Sequence, residues 1–268
     1  MQKILLTSGC SWTDPNYMSI EHPTLDCSWP KWPEILAEKL DMKCINLGKS
    51  GAGNEYIYSS ILDQLQLVDH KQIGYVIAAW SSAPRRDFSN LDYRSSVQWN
   101  NDQEDVRGDL NYWLQKSIRY YYSFQTMMEY LKLPYVHMQM VSMYRGYIYS
   151  KLKEAEKIRN IISGRHEWEW SETIKSEIDK DGVSPHTLKS TRKGYESMSE
   201  VKTLALKTIL NSQYKFNDKF LSWPTDEDIG GASVDLDIVN DRDKISMEDL
   251  HPNKVGQELI AKYIYEHI

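Results

Sequence analysis

The feature that most constrains the fold is a series of short apolar runs, each followed by a loop and then by a segment with helical spacing. The runs are Lys3–Thr7, Lys43–Leu47, Tyr75–Trp80 and Pro134–Met140. Their length is typical of buried strands. The helical segments are Trp32–Leu40, Asn54–Val68, Leu110–Leu131 and Asn253–His267, and Asn54 is predicted to cap the second of them. Strands that alternate with helices predict a parallel sheet covered by helices on both faces.

The remaining chain is less regular. A fifth strand is predicted at Lys219–Trp223, and further helices at 151–170 and 201–211. The polar segments 85–109 and 171–199 are predicted to be loop or lid insertions. Long loops in compact domains are often functional. No linker interrupts the 268 residues, so we expect a single domain over 1–268 with a large inserted middle region.

Composition excludes several classes of function. The net charge of -6 and the lack of a long basic stretch argue against a nucleic-acid partner. No apolar run is long enough for a membrane span, and the N-terminus becomes polar too soon for a secretory signal, so we expect no membrane partner. The three cysteines, Cys10, Cys27 and Cys44, lack metal-ligand or disulfide spacing. We therefore expect a cytoplasmic protein without a metal or organic cofactor.

Four loops are candidates for the active site, because ligands bind beyond the carboxyl ends of parallel strands. Three follow predicted strands, and the fourth precedes the last helix. They read G-C-S-W-T at 9–13, N-L-G-K-S-G at 46–51, A-W-S-S at 79–82 and E-D-L-H-P-N at 248–253.

In their order and placement, these loops resemble the four blocks of the SGNH (GDSL-like) hydrolase family. The corresponding family patterns are G-D-S-x-S, a glycine turn after a strand, G-x-N-D, and D-x-x-H-P before the final helix. The resemblance covers both ends of the chain and leaves roughly the middle half unmatched. It implies a flavodoxin-like three-layer α/β/α sandwich with a central parallel sheet of about five strands.

The resemblance also implies a serine nucleophile and its base. Ser11 is the candidate nucleophile, and His251 is the candidate base that takes its proton. A carboxylate would hold the imidazole in the required tautomer. The family's acid lies three residues before the histidine, which is Glu248 here, and the adjacent Asp249 is the alternative.

The oxyanion donors implied by the resemblance are the backbone N–H groups of Ser11 and Gly51 and a side chain in the third block. Ser81 stands where the family has asparagine, and Cys10 where it has aspartate. Losing one oxyanion donor lowers the rate by about 10²–10³. The replacement at position 81 is therefore compatible with weak activity or none.

The third block and the residues after it resemble a variant in SGNH-like proteins encoded by phages, which makes a virion-associated location the alternative to the cytoplasm. The pocket is predicted to be shaped by residues in or shortly after the first three blocks, including the basic pair that follows the third. These are Trp12, Asn54, Trp80, Arg85 and Arg86. Either arginine is suited to binding a carboxylate or phosphate on the substrate.

Each of these residues also has a purely structural interpretation. Ser11 is a common residue type in turns, and His251 lies in a pre-helix loop with Pro252 as the first helical residue. The acidic pair fits solvated charges, and Gly51 fits a tight turn. His137 is predicted to be a buried histidine with its hydrogen bonds satisfied.

Three functions remain open. The first is a serine esterase or deacetylase that hydrolyses an ester of a small molecule or glycan, with O-acetyl carbohydrate as a candidate substrate. The 9 Trp and 18 Tyr suit a carbohydrate-facing pocket. The alternatives are a non-catalytic SGNH-like binding or structural module, for example of a phage particle, and an O-acyltransferase that uses the same site.

Overall fold

The computed structural model describes residues 2–83, 85, 87, 110–141, 143, 213–221 and 233–268. These residues form a five-stranded sheet in which every neighbouring pair of strands is parallel. The strands are β1 (Ile4–Gly9), β2 (Lys43–Asn46), β3 (Ile73–Trp80), β4 (Tyr135–Gln139) and β5 (Phe220–Leu221). Their spatial order is β2-β1-β3-β4-β5. The predicted parallel α/β sheet of about five strands is confirmed, and its order is that of flavodoxin-like folds.

Helices cover both faces of this sheet. The described α-helices are α1 (Trp32–Lys39), α2 (Asn54–Leu67), α3 (Leu110–Leu131) and α4 (Lys254–Tyr265). Helix α1 packs against α4, and α2 packs against α3. The chain moves from β1 outward to β2 and then returns past β1 to β3. Right-handed crossovers therefore place α1 and α2 on opposite faces, which produces the three-layer sandwich.

The start of α2 differs from the prediction. Asn54 is the first residue of the helix and not its cap; Gly53 is the N-cap residue. The carboxylate of Asp87 accepts hydrogen bonds from the backbone N–H groups of Gly53 and Tyr56, at 2.8 Å each. A side chain from outside the helix thus satisfies donors that Asn54 was expected to satisfy.

An aromatic cluster fills the space between the sheet and α3. The fully buried indole of Trp80 lies 4.6 Å from the ring of Tyr121 and meets Phe124 edge-on at 5.7 Å, between ring centroids. Its Nε1–H donates to Nδ1 of His137 at 3.1 Å, and burial holds the pKa of His137 well below its usual value. His137 is therefore neutral with its proton on Nε2. That Nε2 has no hydrogen-bond partner among the described residues, so the prediction of a satisfied histidine is only half right.

Several predictions lie outside the described residues. They concern the helices at 151–170 and 201–211, the segment 171–199, and the segment 85–109 apart from Arg85 and Asp87. Of the helices that the structure describes, none has both the length and the apolar composition needed to cross a membrane.

Candidate active site

Ser11 lies in a tight turn directly after β1, at the carboxyl edge of the sheet. The carbonyl of Cys10 accepts hydrogen bonds from the N–H groups of Thr13 at 2.8 Å and Asp14 at 3.1 Å, and these bonds close the turn. Strand β1 lies between β2 and β3, where the strand order reverses. This is the position at which open parallel sheets bind their ligands.

His251 is presented by a loop that folds back on itself before α4. The N–H of Ile245 donates to the carbonyl of His251 at 2.8 Å, and the N–H of Ser246 donates to the carbonyl of Asp249 at 3.0 Å. The hydroxyl of Ser246 in turn accepts the N–H of Asp249 at 2.9 Å. Asn253 caps α4 by accepting the N–H of Gly256 at 3.1 Å. The loop is thus held at both ends by backbone bonds and by the start of a helix.

Gln257 joins this C-terminal helix to the Ser11 turn. Its buried amide donates to the carbonyl of Trp12 at 3.3 Å and accepts the N–H of Trp32 at 2.8 Å. One side chain on α4 therefore contacts both the turn after β1 and the first residue of α1. This contact is one of those that join the N-terminal part of the described chain to its C-terminal helix.

The Ser11 turn and the His251 loop bring three side chains into one hydrogen-bonded row. Ser11 Oγ lies 2.7 Å from His251 Nε2, although the two residues are 240 positions apart in sequence. His251 Nδ1 lies 2.6 Å from Asp249 Oδ1. This is the geometry in which a histidine takes a proton from serine while a carboxylate orients the ring.

The carboxylate of Asp249 is ionised although its side chain is only 2% exposed. Burial opposes ionisation, but hydrogen bonds from His251, Ser19 and Tyr17 outweigh it and hold the pKa of this carboxyl below its ordinary value. The ionised form accepts the Nδ1–H of His251 and the backbone N–H of the same residue, the latter at 3.1 Å.

The structure distinguishes between the two acidic candidates. Glu248, at the family's usual spacing, is exposed, and its backbone N–H donates to Ser246 Oγ at 3.1 Å. Asp249 points into the loop and contacts the imidazole. The reason is the fold-back at Ser246, which turns the residue two positions before the histidine inward.

Tyr17 is a member of the site that the sequence analysis did not identify. Its hydroxyl lies 2.7 Å from Asp249 Oδ2 and 2.8 Å from His251 Nδ1. The two ring centroids of Tyr17 and His251 are 4.2 Å apart. Burial and then the neighbouring carboxylate of Asp249 raise the pKa of Tyr17, so its hydroxyl remains a donor. Only its position six residues after Ser11 hints at this contact in the sequence.

The loop that carries Gly51 is anchored to the Ser11 turn. The amide of Asn46 donates to the carbonyl of Thr13 at 2.7 Å and accepts the N–H of Gly48 at 2.9 Å. A β-carbon at Gly48 would lie 2.6 Å from backbone atoms of Thr13, so only glycine permits this approach. Gly51 itself has a φ of 82°, which favours glycine as the tight-turn interpretation predicts.

The third block is fully buried in this structure. Ser81 has no exposed surface, and its Oγ has no hydrogen-bond partner among the described residues. The amide of Asn54 accepts the N–H of Ser81 at 2.8 Å and donates to its carbonyl at 3.1 Å. Ser117 and Tyr121 accept further bonds from the same amide. The buried side-chain amide of Asn54 therefore holds the backbone of Ser81 in place, and this amide does not face a substrate.

The other predicted pocket residues have different locations. Trp12 is 2% exposed, and its ring lies 6.4 Å from that of His251. Trp80 does not fit the predicted substrate contact, because its ring is in the core against α3. The guanidinium of Arg85 donates to the carbonyl of Ala52 at 3.3 Å, beside the Gly51 loop. Arg86 lies outside the described residues.

Comparison with solved structures finds several chains of similar fold. One, from Desulfitobacterium hafniense DCB-2, is described as a lipolytic protein of the G-D-S-L family (13% identity, TM-score 0.41, all of both chains covered). Another is a catalytic mutant of the acetylxylan esterase Axe2 from Geobacillus stearothermophilus (11% identity, TM-score 0.39, 99% of this chain and 93% of that one). A second Axe2 mutant, described as an acetyl-xylooligosaccharide esterase, has 10% identity and a TM-score of 0.34 over 80% of this chain and 97% of that one.

At these identities and TM-scores, the likeness assigns neither an activity nor a substrate to this chain. No protein-family model matches the sequence. The search of curated proteins finds no match either. The chain is thus defined by its own features: a parallel α/β sandwich with a Ser-His-Asp row at the carboxyl edge of the sheet.

Proposed function

We propose that this protein is a serine esterase or deacetylase that hydrolyses an ester through an acyl-Ser11 intermediate. The observation that carries the proposal is the continuous row from Ser11 Oγ to His251 at 2.7 Å and from His251 to the ionised Asp249 at 2.6 Å. A serine that only caps a turn would not require a histidine at its hydroxyl or a buried carboxylate on the far side of that histidine.

The proposed reaction has two halves. His251 Nε2 takes the hydroxyl proton as Ser11 Oγ attacks the ester carbonyl, and the imidazolium then returns that proton to the departing alcohol. A water molecule attacks the acyl-serine in the second half, with His251 again taking and returning a proton. The ester bond is replaced by a carboxylic acid and an alcohol. We assign the oxyanion to the backbone N–H groups of Ser11 and Gly51.

The candidate substrate class is an acylated sugar, with O-acetyl as the simplest acyl group. The support is compositional: the chain has 9 Trp and 18 Tyr against 4 Phe, and amphipathic rings suit polar ligands. One observation favours the competing function, a binding module without turnover. Ser81 is inaccessible, so a substrate oxygen would reach its hydroxyl only after a local rearrangement.

The test is labelling with a fluorophosphonate probe, which reacts with activated serines. The wild type is compared with Ser11→Ala, His251→Ala and the matched control Ser28→Ala, an exposed serine in the loop between β1 and α1. We expect labelling of the wild type and the control only, followed by release of acetate from acetylated sugars. If the folded wild type is not labelled and does not hydrolyse p-nitrophenyl acetate, the proposed esterase function is wrong and a binding module without turnover takes its place.

A further inference from the structure

Tyr17 contacts both Asp249 and His251, the two residues that follow Ser11 in the hydrogen-bonded row. Its hydroxyl oxygen is 2.7 Å from Asp249 Oδ2 and 2.8 Å from His251 Nδ1. The ring lies over the imidazole with 4.2 Å between centroids and an interplanar angle of 31°. The other carboxylate oxygen, Asp249 Oδ1, is already occupied by two groups of His251. Tyr17 thus contacts the one oxygen of Asp249 that His251 leaves open.

The direction of these hydrogen bonds follows from the chemistry of the three groups. An ionised carboxylate only accepts, so the single hydroxyl proton of Tyr17 goes to Asp249 Oδ2. The Tyr17 oxygen then presents a lone pair to His251 Nδ1. Both atoms close to Nδ1, Asp249 Oδ1 and Tyr17 Oη, are therefore acceptors. The ring proton is held on Nδ1, and the lone pair of Nε2 faces Ser11.

We propose that Tyr17 is a positioning residue that holds Asp249 and His251 in the orientation required to activate Ser11, an inference that rests on the proposed esterase function. The hydroxyl fixes the carboxylate, and the ring supports one face of the imidazole. Tyr17 reaches this position because it follows Ser11 closely in sequence. Ser11 and Tyr17 therefore belong to one segment of the chain after β1.

A second contact ties the same loop to the His251 loop. His22 Nε2 lies 2.8 Å from Ser246 Oγ, and that hydroxyl accepts the N–H of Asp249. The backbone of His22 donates to Ser19 Oγ at 3.0 Å. The segment from Tyr17 to His22 is therefore joined to the opposite loop at both of its ends, which limits how far the Tyr17 ring can move away from the imidazole.

The kinetic test uses Tyr17→Phe, which removes the hydroxyl and keeps the ring. The matched control is Tyr135→Phe, because Tyr135 also donates to a carboxylate, that of Glu129 at 3.2 Å, at the opposite edge of the sheet. We expect kcat for p-nitrophenyl acetate to fall about tenfold to hundredfold in Tyr17→Phe, as for the loss of one hydrogen bond to a charged group, with KM unchanged. Tyr135→Phe should keep the wild-type kcat.

A double variant separates positioning from general stability. If Tyr17 acts through Asp249, adding Tyr17→Phe to Asp249→Asn should lower kcat by less than twofold further, because the group it orients is already lost. An effect of Tyr17→Phe that is as large in the Asp249→Asn background as in the wild type would overturn the proposal. So would an unchanged kcat in Tyr17→Phe alone.

The second measurement does not depend on turnover. Proton NMR of protein labelled with ¹⁵N-histidine reports the Nδ1–H of His251, which should give a low-field signal because it is bonded to a carboxylate. We expect Tyr17→Phe to shift and broaden this signal and Tyr135→Phe to leave it unchanged.

If Tyr17→Phe does not fold, 3,5-difluorotyrosine at position 17 keeps the shape, strengthens the donor and should also move the signal. A signal insensitive to position 17 overturns the inference. A wild type without esterase activity but with a sensitive signal overturns only the proposed function.

Discussion

Asp14 and Ser50 are joined by two hydrogen bonds, because both the backbone N–H and the hydroxyl of Ser50 donate to Asp14 Oδ2, at 2.8 and 2.6 Å. Asp14 belongs to the Ser11 turn, and Ser50 precedes Gly51, the proposed oxyanion donor. The other oxygen of Asp14 accepts the N–H of Asn16 at 2.8 Å. One buried carboxylate thus sets the distance between the proposed nucleophile and the loop that would stabilise the oxyanion.

Replacing this carboxylate should reduce the rate without removing the nucleophile. We expect Asp14→Ala to lower kcat by up to about 10²-fold, approaching the loss of one oxyanion donor, because the Gly51 N–H is no longer held in place. Ser50→Ala should have a smaller effect, since the backbone bond to Asp14 remains. The measurement is steady-state hydrolysis of p-nitrophenyl acetate together with the rate of probe labelling. Wild-type kinetics in Asp14→Ala would show that the contact between Asp14 and Ser50 is not needed to hold the Gly51 N–H in place.

The two acidic residues should respond differently to removal of their charge. Asp249→Asn should lower kcat by about 10⁴-fold, the loss found when the acid of a Ser-His-Asp triad becomes an amide. Glu248→Gln, the matched control at the neighbouring position, should stay within about twofold of the wild type, because its side chain is exposed and interactions of exposed charges contribute little. The comparison needs only kcat for one ester. A larger loss of kcat in Glu248→Gln than in Asp249→Asn would assign the role of orienting His251 to Glu248, the residue at the family's usual spacing.

The ionised state of Asp249 should also affect stability as a function of pH. Its pKa is lower in the folded protein than in the unfolded chain, so its contribution to stability is fully present above the unfolded value of about 3.9 and is lost as pH falls through the folded value. We therefore expect the wild type to exceed Asp249→Asn in unfolding free energy at pH 7 and this difference to shrink below about pH 4. Urea unfolding of both proteins at pH 7, 4 and 3 measures it. A difference that grows on acidification would contradict the assignment.

Because the backbone of Thr13 lies close to Gly48, alanine should destabilise the protein more at position 48 than at position 74. In Gly48→Ala the new β-carbon would meet backbone atoms of Thr13 at 2.6 Å, whereas in Gly74→Ala it would meet the flexible end of Met42 at 2.7 Å. We expect Gly48→Ala to lose about 1–3 kcal/mol of stability or more, and Gly74→Ala to lose less. Thermal unfolding of the two variants gives the comparison. Equal melting temperatures would show that the Gly48 loop is free to move away from Thr13.

The sheet and the described helices could be predicted because each has a local signal. Strand β3 is a continuous apolar run, and α1 begins with a proline in its first turn. For the strands and α-helices that the structure describes, the predicted bounds agree with the observed ones to within a few residues. The prediction that Asn54 caps α2 was wrong, because Asp87, a residue 34 positions after Gly53, accepts the N–H groups at the start of the helix. Local sequence carries no signal for a contact at that distance.

The site was predictable only in outline. Ser11 and His251 were identified from the resemblance, and the structure brings them into contact. Tyr17 was missed because its contacts with Asp249 and His251 join residues more than 230 positions apart. Trp80 was placed in the pocket because the third block resembles a phage-encoded variant of the family. It is the last residue of β3, however, and its side chain points to the face of the sheet that α3 covers.

The contact between Gln257 and the Ser11 turn has a consequence for biosynthesis. Ser11 is translated 240 positions before His251 and before the helix that follows it. Until those residues have been made, Ser11 is an alcohol without its proposed base. We expect the proposed nucleophile to gain reactivity only after α4 has packed against α1 and Gln257 has reached the Ser11 turn.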